Sequence, residues 1–311
     1  MSISAPVFRF APSPNGPLHR GHALSALLNA RLAQRHHGVF LLRIEDIDPV
    51  RSRPEHIIAI EDDLHWLGLD WQKPLRQQSD HMEDYARAFR ALDDQGLIYR
   101  CFCSRRDISE AIAQHSDASH GPHDPDGAPL YPGTCRTLSA ADIERRIAEG
   151  EIPQARLKMD EALKRVGEMS YQCFDPFMLV TQSMRCDASL WGDVVLVRKD
   201  TPTSYHLSVV VDDALQGVTH VVRGQDLEAS TAIHSVLQRL LNLSSPAYWH
   251  HQLLLDADGQ KLAKSRNSLS LRNEIAHGLT REALIHDICQ DSMIAELLNF
   301  ENEKPKGRRD D

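Results

Sequence analysis

Two histidines one helical turn apart, His19 and His22, follow a proline-studded loop in the string PSPNGPLHRGHA. Imidazoles at that spacing can both face one phosphate. The start of a helix adds free N–H groups and a partial positive charge. Gly21 between them has no Cβ, so a flat base can approach the backbone. Pro12, Pro14 and Pro17 restrict the loop and reduce the entropy lost on binding. Far downstream, Lys261 and Lys264 stand three apart in KLAKS, after the turn DADGQ. Two ammonium groups on a loop can close over a triphosphate. Alone, each string is an ordinary surface turn. Together they describe a nucleotide site.

A second set of residues is suited to a dicarboxylic amino acid. Arg9 lies on a strand-like run just before the proline loop, and Arg223 ends the run VTHVVRG. Guanidinium groups bind carboxylates bidentately, and such a substrate offers two. Glu45, in LRIEDID, can take an ammonium group, and Tyr205 can donate its hydroxyl. Each also has a structural role open to it. Glu45, Asp46 and Asp48 suit a strand end, Asp212 and Asp213 suit another, and Tyr205 suits packing.

Three of the six cysteines, Cys101, Cys103 and Cys135, share one region. A chain of 311 residues in a reducing compartment needs no disulfides, so a metal is the better reading of this group. Zinc favours four tetrahedral ligands and accepts thiolates. The fourth ligand is open between Tyr131 and the histidines His115, His120 and His123 of the intervening loop. Cys173, Cys186 and Cys289 stand singly and read as small packing residues.

The elements that must position these groups read as follows. Residues 7–11 form a strand, about 21–37 a helix and 39–46 a second strand, which is a βαβ unit and implies parallel pairing. Residues 54–68 and 80–96 are amphipathic helices. Residues 101–190 hold the cysteines and the stretch HGPHDPDGAPLYPG and read as an insertion, with a mobile loop at 115–130. Strand signals return at 193–199, 206–213, 218–224 and 251–256, with a helix at about 226–242 and a helical tail from about 274. The expected fold is α/β: a doubly wound, Rossmann-like parallel sheet with an inserted zinc-bearing subdomain and a short C-terminal helical segment. The corresponding divisions are 1–100 for the first half of the catalytic domain, 101–190 for the insertion, 191–256 for the second half, and 257–311 for the lysine loop and tail.

Composition narrows the class. The net charge of −9 argues against general coating of nucleic acid but permits one local basic groove. MSISAPVFRF has no cationic or apolar leader pattern, and no apolar run approaches the roughly 18 residues of a membrane span. The cytoplasm and a monomeric state are the expectations.

His19-Arg20-Gly21-His22 resembles the HIGH signature of class I aminoacyl-tRNA synthetases, and RFAPSPNGPL is similar to their glutamyl/glutaminyl branch. KLAKS is similar to the KMSKS loop, with Leu262 and Ala263 departing from the common letters. RFAPS, RIEDID, YHLSVVVDD and VVRGQDL likewise resemble glutamyl-synthetase segments from residue 7 to about 265. The resemblance implies adenylate formation from ATP with Mg²⁺, with His19, His22 and Lys264 catalytic and His19, Gly21, His22, Lys261 and Lys264 on the nucleotide. It implies a glutamate pocket of Arg9, Phe10, Ala11, Pro12, Ser13, Glu45, Tyr205 and Arg223. Catalysis would be positioning plus electrostatic stabilisation, with no protein nucleophile. The cluster C-x-C…Y-x₃-C resembles a zinc site in which Tyr131 is the fourth ligand beside Cys101, Cys103 and Cys135. That cluster, and a chain ending about 45 residues after Lys264, resemble the glutamyl-Q tRNA(Asp) synthetase branch. The branch passes glutamate to the queuosine base in the anticodon stem-loop of tRNA(Asp). The alternatives are a minimal enzyme charging the 3′ end of tRNA(Glu), and an idle synthetase-like protein that binds RNA or a partner.

Overall fold

The first strand, β1 (Val7–Phe10), has four residues, and its last three, Phe8, Arg9 and Phe10, are buried. The computed structural model describes residues 5–115, 122–254, 270–289 and 291–298. Among them the strands are β1, β2 (Val39–Ile44), β3 (Gln72–Gln77), β4 (Ile98–Cys101), β5 (Gln154–Leu157), β6 (Ser170–Phe174), β7 (Thr181–Arg185), β8 (Val195–Val197), β9 (His220–Gly224) and β10 (Ala247–His251). The helices are α1 (Arg20–Arg35), α2 (Pro54–Trp66), α3 (Met82–Asp93), α4 (Arg105–His115), α5 (Ala140–Ala148), α6 (Met159–Val166), α7 (Tyr205–Leu215), α8 (Thr231–Leu240), α9 (Leu271–Ala276), α10 (Arg281–Ile288) and α11 (Ser292–Leu298).

Seven strands form the main sheet in the order β3-β2-β1-β9-β10-β6-β7. Every pair is parallel except β6 with β7. The chain winds outward from β1 to β3, then returns on the other side of β1 as β9 and β10. The order therefore reverses between β1 and β9, and ligands bind at the carboxyl ends of strands beside such a reversal. α1 packs its leucines Leu24, Leu27, Leu28 and Leu32 against this sheet, and α10 and α11 pack on α1. A smaller antiparallel sheet, β4-β5-β8, carries the cysteine region. The doubly wound fold of the sequence reading is thus present. No described helix is long and apolar enough to cross a membrane.

Several element readings are corrected. Residues 206–213 are not a strand but most of α7. Leu207 to Asp213 are all buried, so this helix shows no polar face, and periodicity could not separate it from a buried strand. Of residues 193–199 only Val195–Val197 are extended, and they pair in the smaller sheet. The strand expected at 251–256 ends at His251 and begins at Ala247, because the β-forming Tyr248 and Trp249 extend it on the amino side. Residues 255 and 256 lie outside the described residues. The helix expected at 226–242 starts at Thr231, after a single 3₁₀ turn at Gln225–Leu227. β6 and β7, within the stretch read as an insertion, extend the main sheet, and β3 was not anticipated.

Arginines from β1, β2 and β3 converge on two aspartates of α7. Arg9 Nε donates to Asp213 Oδ1 at 3.1 Å, and Arg43 Nη1 donates to the same oxygen at 2.7 Å. Arg43 is fully buried and also donates from Nη2 to Glu45 at 3.1 Å. Arg76 Nε and Gln78 Nε2 each reach Asp212 at 2.7 Å, and the Tyr85 hydroxyl lies 3.0 Å from both of its oxygens. Charges removed from water are tolerated only when matched and hydrogen-bonded this fully. Replacing Arg43 by Met would strip Glu45 of its ion pair and leave Asp213 with Arg9 alone. We expect an apparent loss of about 3–5 kcal/mol in urea denaturation. A loss under about 1 kcal/mol would contradict the network's structural role.

Candidate active site

α1 begins with an unusual cap. His19 is the N-cap residue, and its Nδ1 accepts from Gly21 N at 3.1 Å. His22 Nδ1 accepts from His19 N at 3.2 Å, which closes a reciprocal capping box made of two imidazoles. The rings lie 3.8 Å apart between centroids. A neutral imidazole that accepts at Nδ1 carries its proton on Nε2. Both rings are therefore held as Nε2–H donors. A Cβ on residue 21 would sit 3.0 Å from His19 Cε1, so any other residue there would press on the capping ring.

The loop before α1 is tied to the end of β2: Glu45 N donates to Pro12 O at 3.0 Å. Between them opens a cleft of about 520 Å³ at the carboxyl ends of β1 and β9. It is lined by Arg9, Phe10, Ala11, Pro12, Ser13, His19, Gly21, His22, Glu45, Tyr205 and Arg223. All of the sequence-predicted glutamate residues thus meet in one cavity, along with three of the five predicted nucleotide residues. Lys261 and Lys264 lie outside the described residues.

Electrostatics differ around the cleft. Burial raises the Glu45 carboxyl above its usual range, opposed by Arg43 and Arg9. Burial also works against Asp213, but Arg9 and Arg43 hold it low. Arg9 is thereby matched by a carboxylate. Arg223 is not. Its Nε donates to His250 Nε2 at 3.2 Å, Nη2 to Thr231 Oγ1 at 2.7 Å, and Nη1 to His234 Nδ1 at 3.2 Å and to the Tyr205 hydroxyl at 3.4 Å. Burial lowers His206 to about 4 and His250 to about 3, and His234 well below 6.5. The imidazoles around Arg223 are neutral at pH 7.

Sequence reasoning missed the groups that hold the site. Asp213 anchors Arg9 and Arg43, Asp212 anchors Arg76, and Thr231, His234 and His250 hold Arg223. The paired aspartates were visible, but as a strand end they had no partner to find. Ser25 and His251 also line the cleft, and the Ser25 hydroxyl lies 2.6 Å from His251 Nε2. That bond ties α1 to the end of β10. Gly224 packs so tightly beneath the cleft that a Cβ would fall 2.5 Å from Asp226 Oδ1.

Cys101, Cys103 and Cys135 come together, with their sulfur atoms within 4.8 Å of one another. The Tyr131 hydroxyl lies 3.6 Å from Cys103 Sγ and accepts from Cys135 N at 2.7 Å. Arg156 stacks 3.9 Å over the Tyr131 ring. Burial opposes ionisation of Cys101, but hydrogen bonds from Tyr131, Gln154 and Arg156 bring it down to about 7, while burial pushes Cys103 up to about 11. Such a donor set suits one thiophilic metal ion. His123 is not part of the group among the described side chains. The His115 side chain and His120 lie outside what is described.

Residues 7–301 match the family model for class I tRNA synthetases (E and Q), catalytic domain. The chain belongs to that family. It is accordingly a ligase of the aminoacyl-tRNA-synthetase type, a class that uses ATP with Mg²⁺, an amino acid and tRNA. It is 44% identical over 274 residues to the glutamyl-Q tRNA(Asp) synthetase of Rhodobacter capsulatus, covering 88% of this chain and 95% of that one. It is 39% identical over 286 residues to the protein of the same name from Symbiobacterium thermophilum, covering 89% and 83%. Among solved structures, the glutamate-tRNA synthetase of Elizabethkingia anophelis superposes with a TM-score of 0.68 at 25% identity, over 89% of this chain. The chain spans about half that structure's length, 54%.

Two outcomes are expected. Cys103→Ser should lose most of any metal that the purified wild-type protein carries, measured by elemental analysis; unchanged content would remove the cluster as a metal site. The buried histidines also set an acid limit. His206, His220, His234 and His250 all titrate below 6.5 in the folded chain because of burial, His206 and His220 at about 4. Between roughly 6.5 and 4 the unfolded chain takes up protons that the folded chain refuses, so stability falls as pH falls. The melting temperature should be lower at pH 5.5 than at pH 7.5, and a flat or rising trend toward acid would contradict this.

Proposed function

We propose that the cleft activates L-glutamate with ATP, without tRNA, and then transfers the glutamyl group to the queuosine base in the anticodon of tRNA(Asp). The observation that carries glutamate activation is Arg223. It is a buried guanidinium at the cleft wall whose described partners are all uncharged. A substrate carboxylate supplies the missing charge, which an amide cannot. Arg9, with Ser13 and the Tyr205 hydroxyl, lies on the same cavity, and Glu45 is the acceptor for the ammonium group.

In the first step a carboxylate oxygen of glutamate attacks the α-phosphorus, and the bond to pyrophosphate breaks. The Nε2–H groups of His19 and His22 donate to the phosphate as charge builds, with no proton transfer required. Lys261 and Lys264 are assigned to the departing pyrophosphate by their motif. ATP enters with Mg²⁺, which neutralises phosphate charge. In the second step the acyl group passes to the base and AMP leaves. Three thiols and the Tyr131 hydroxyl would hold one structural zinc ion, fixing the residues around Cys135.

The choice of acceptor is supported by the two relatives of that name, one of them matched over 95% of its own length. A second reading, aminoacylation at the 3′ end of tRNA(Glu), is favoured by the likeness to the Elizabethkingia glutamate-tRNA synthetase. Labelled glutamate offered with bulk tRNA from cells that make queuosine and from cells that cannot separates the two. The proposal expects label only in the queuosine-containing pool. Equal labelling of both pools would establish the second reading, and no labelling of either would leave neither.

A further inference from the structure

We propose that His234, supported by His206, is a positioning residue that keeps the charge of Arg223 in reserve for the substrate. This rests on glutamate being the acid that the cleft activates.

The geometry around Arg223 differs from that of the three arginines that meet α7. Arg9, Arg43 and Arg76 each donate to an aspartate at 3.1 Å or less. Arg223 is also buried and donates to four neutral acceptors, which leaves one Nη2–H for substrate, yet among the described residues no carboxylate lies within ion-pair distance of it. Its direction is fixed by neutral acceptors from three elements: Thr231 and His234 on α8, His250 on β10 and, at 3.4 Å, the Tyr205 hydroxyl on α7. His234 accepts at Nδ1, so its proton is on Nε2. That nitrogen lies 3.3 Å from His206 Nδ1 on α7. The His234 proton is thus spent on His206, and its lone pair is committed to Arg223. Two side chains set the tautomer that Arg223 requires. Thr231 Oγ1, 3.2 Å from His250 Nε2, joins those two acceptors in the same way.

The consequence is a specificity device. A carboxylate in place of His234 would orient the guanidinium equally well, but it would also neutralise it. Substrate would then have to compete with a permanent internal partner in a poorly solvated site, where such pairs are strong. A neutral acceptor orients the guanidinium without neutralising it.

The test is glutamate-dependent ATP–pyrophosphate exchange with His234→Asp, His234→Gln and His250→Asp, each checked for cooperative melting. His234→Asp should raise KM for glutamate at least about tenfold, with kcat and KM for ATP within about threefold of wild type. His234→Gln supplies a neutral acceptor and should rescue KM to within about threefold of wild type. His250→Asp introduces the carboxylate from β10 and should act like His234→Asp, so the outcome does not hang on one variant's folding. Wild-type KM in a folded Asp variant, or an equal rise in His234→Gln, would overturn the proposal. Absence of glutamate-dependent exchange in the wild type would instead overturn the proposed function, and the cradle with it.

Discussion

Two adjacent acidic residues, Asp212 and Asp213, organise the catalytic half of this molecule. They project from α7 and receive arginines from three neighbouring parallel strands, Arg9, Arg43 and Arg76. Strands in a doubly wound sheet have no side-chain reason to align their carboxyl ends, because their hydrogen bonds fix register only pairwise. The aspartates supply that reason. These guanidinium groups are tolerable away from water because the two carboxylates accept from them, while Gln78 and Tyr85 complete the hydrogen bonds of Asp212. The cleft sits at that level of the sheet. Arg9 reaches it already paired, and Glu45 reaches it beside Arg43.

On this frame the proposed phosphate and carboxylate ends of the cleft are separated. The phosphate end is built by α1, whose first turn uses imidazoles where a Ser or Asp would ordinarily cap. That choice gives up the strongest caps. In return it leaves the Nε2–H of each ring as a donor at the cleft, as the proposed phosphate role requires. The carboxylate end is built by β9, α8 and β10, where Arg223 is oriented by uncharged groups. One arginine is thereby structural in its charge balance and the other is not, although both are buried and both line the cavity.

Much of the site could be read from the residues, and the reasons for the exceptions are physical. The loop before His19, the pair His19 and His22, Glu45 at the end of β2 and Arg223 at the end of β9 carry local signals: turn residues, helical spacing, and charges at the ends of apolar runs. All meet in the cleft. The doubly wound sheet followed from the same runs. What was illegible was long-range pairing. Asp213 meets Arg43 across 170 residues, and no local pattern announces it. The apolar run at Val209–Val211 misled for a related reason: a helix buried on every side has no amphipathic period to read. Tyr131 was chosen by resemblance, and its hydroxyl lies 3.6 Å from Cys103 Sγ and accepts from the Cys135 backbone N–H.

The central claim is that this cleft recognises a dicarboxylic amino acid by charge and activates it without RNA. ATP–pyrophosphate exchange in the absence of any RNA, with glutamate, glutamine and aspartate offered separately, addresses it directly. The account predicts exchange with glutamate and little with glutamine, since the amide cannot match the charge of Arg223. Exchange with glutamine equal to that with glutamate, or no exchange until RNA is added, would contradict it.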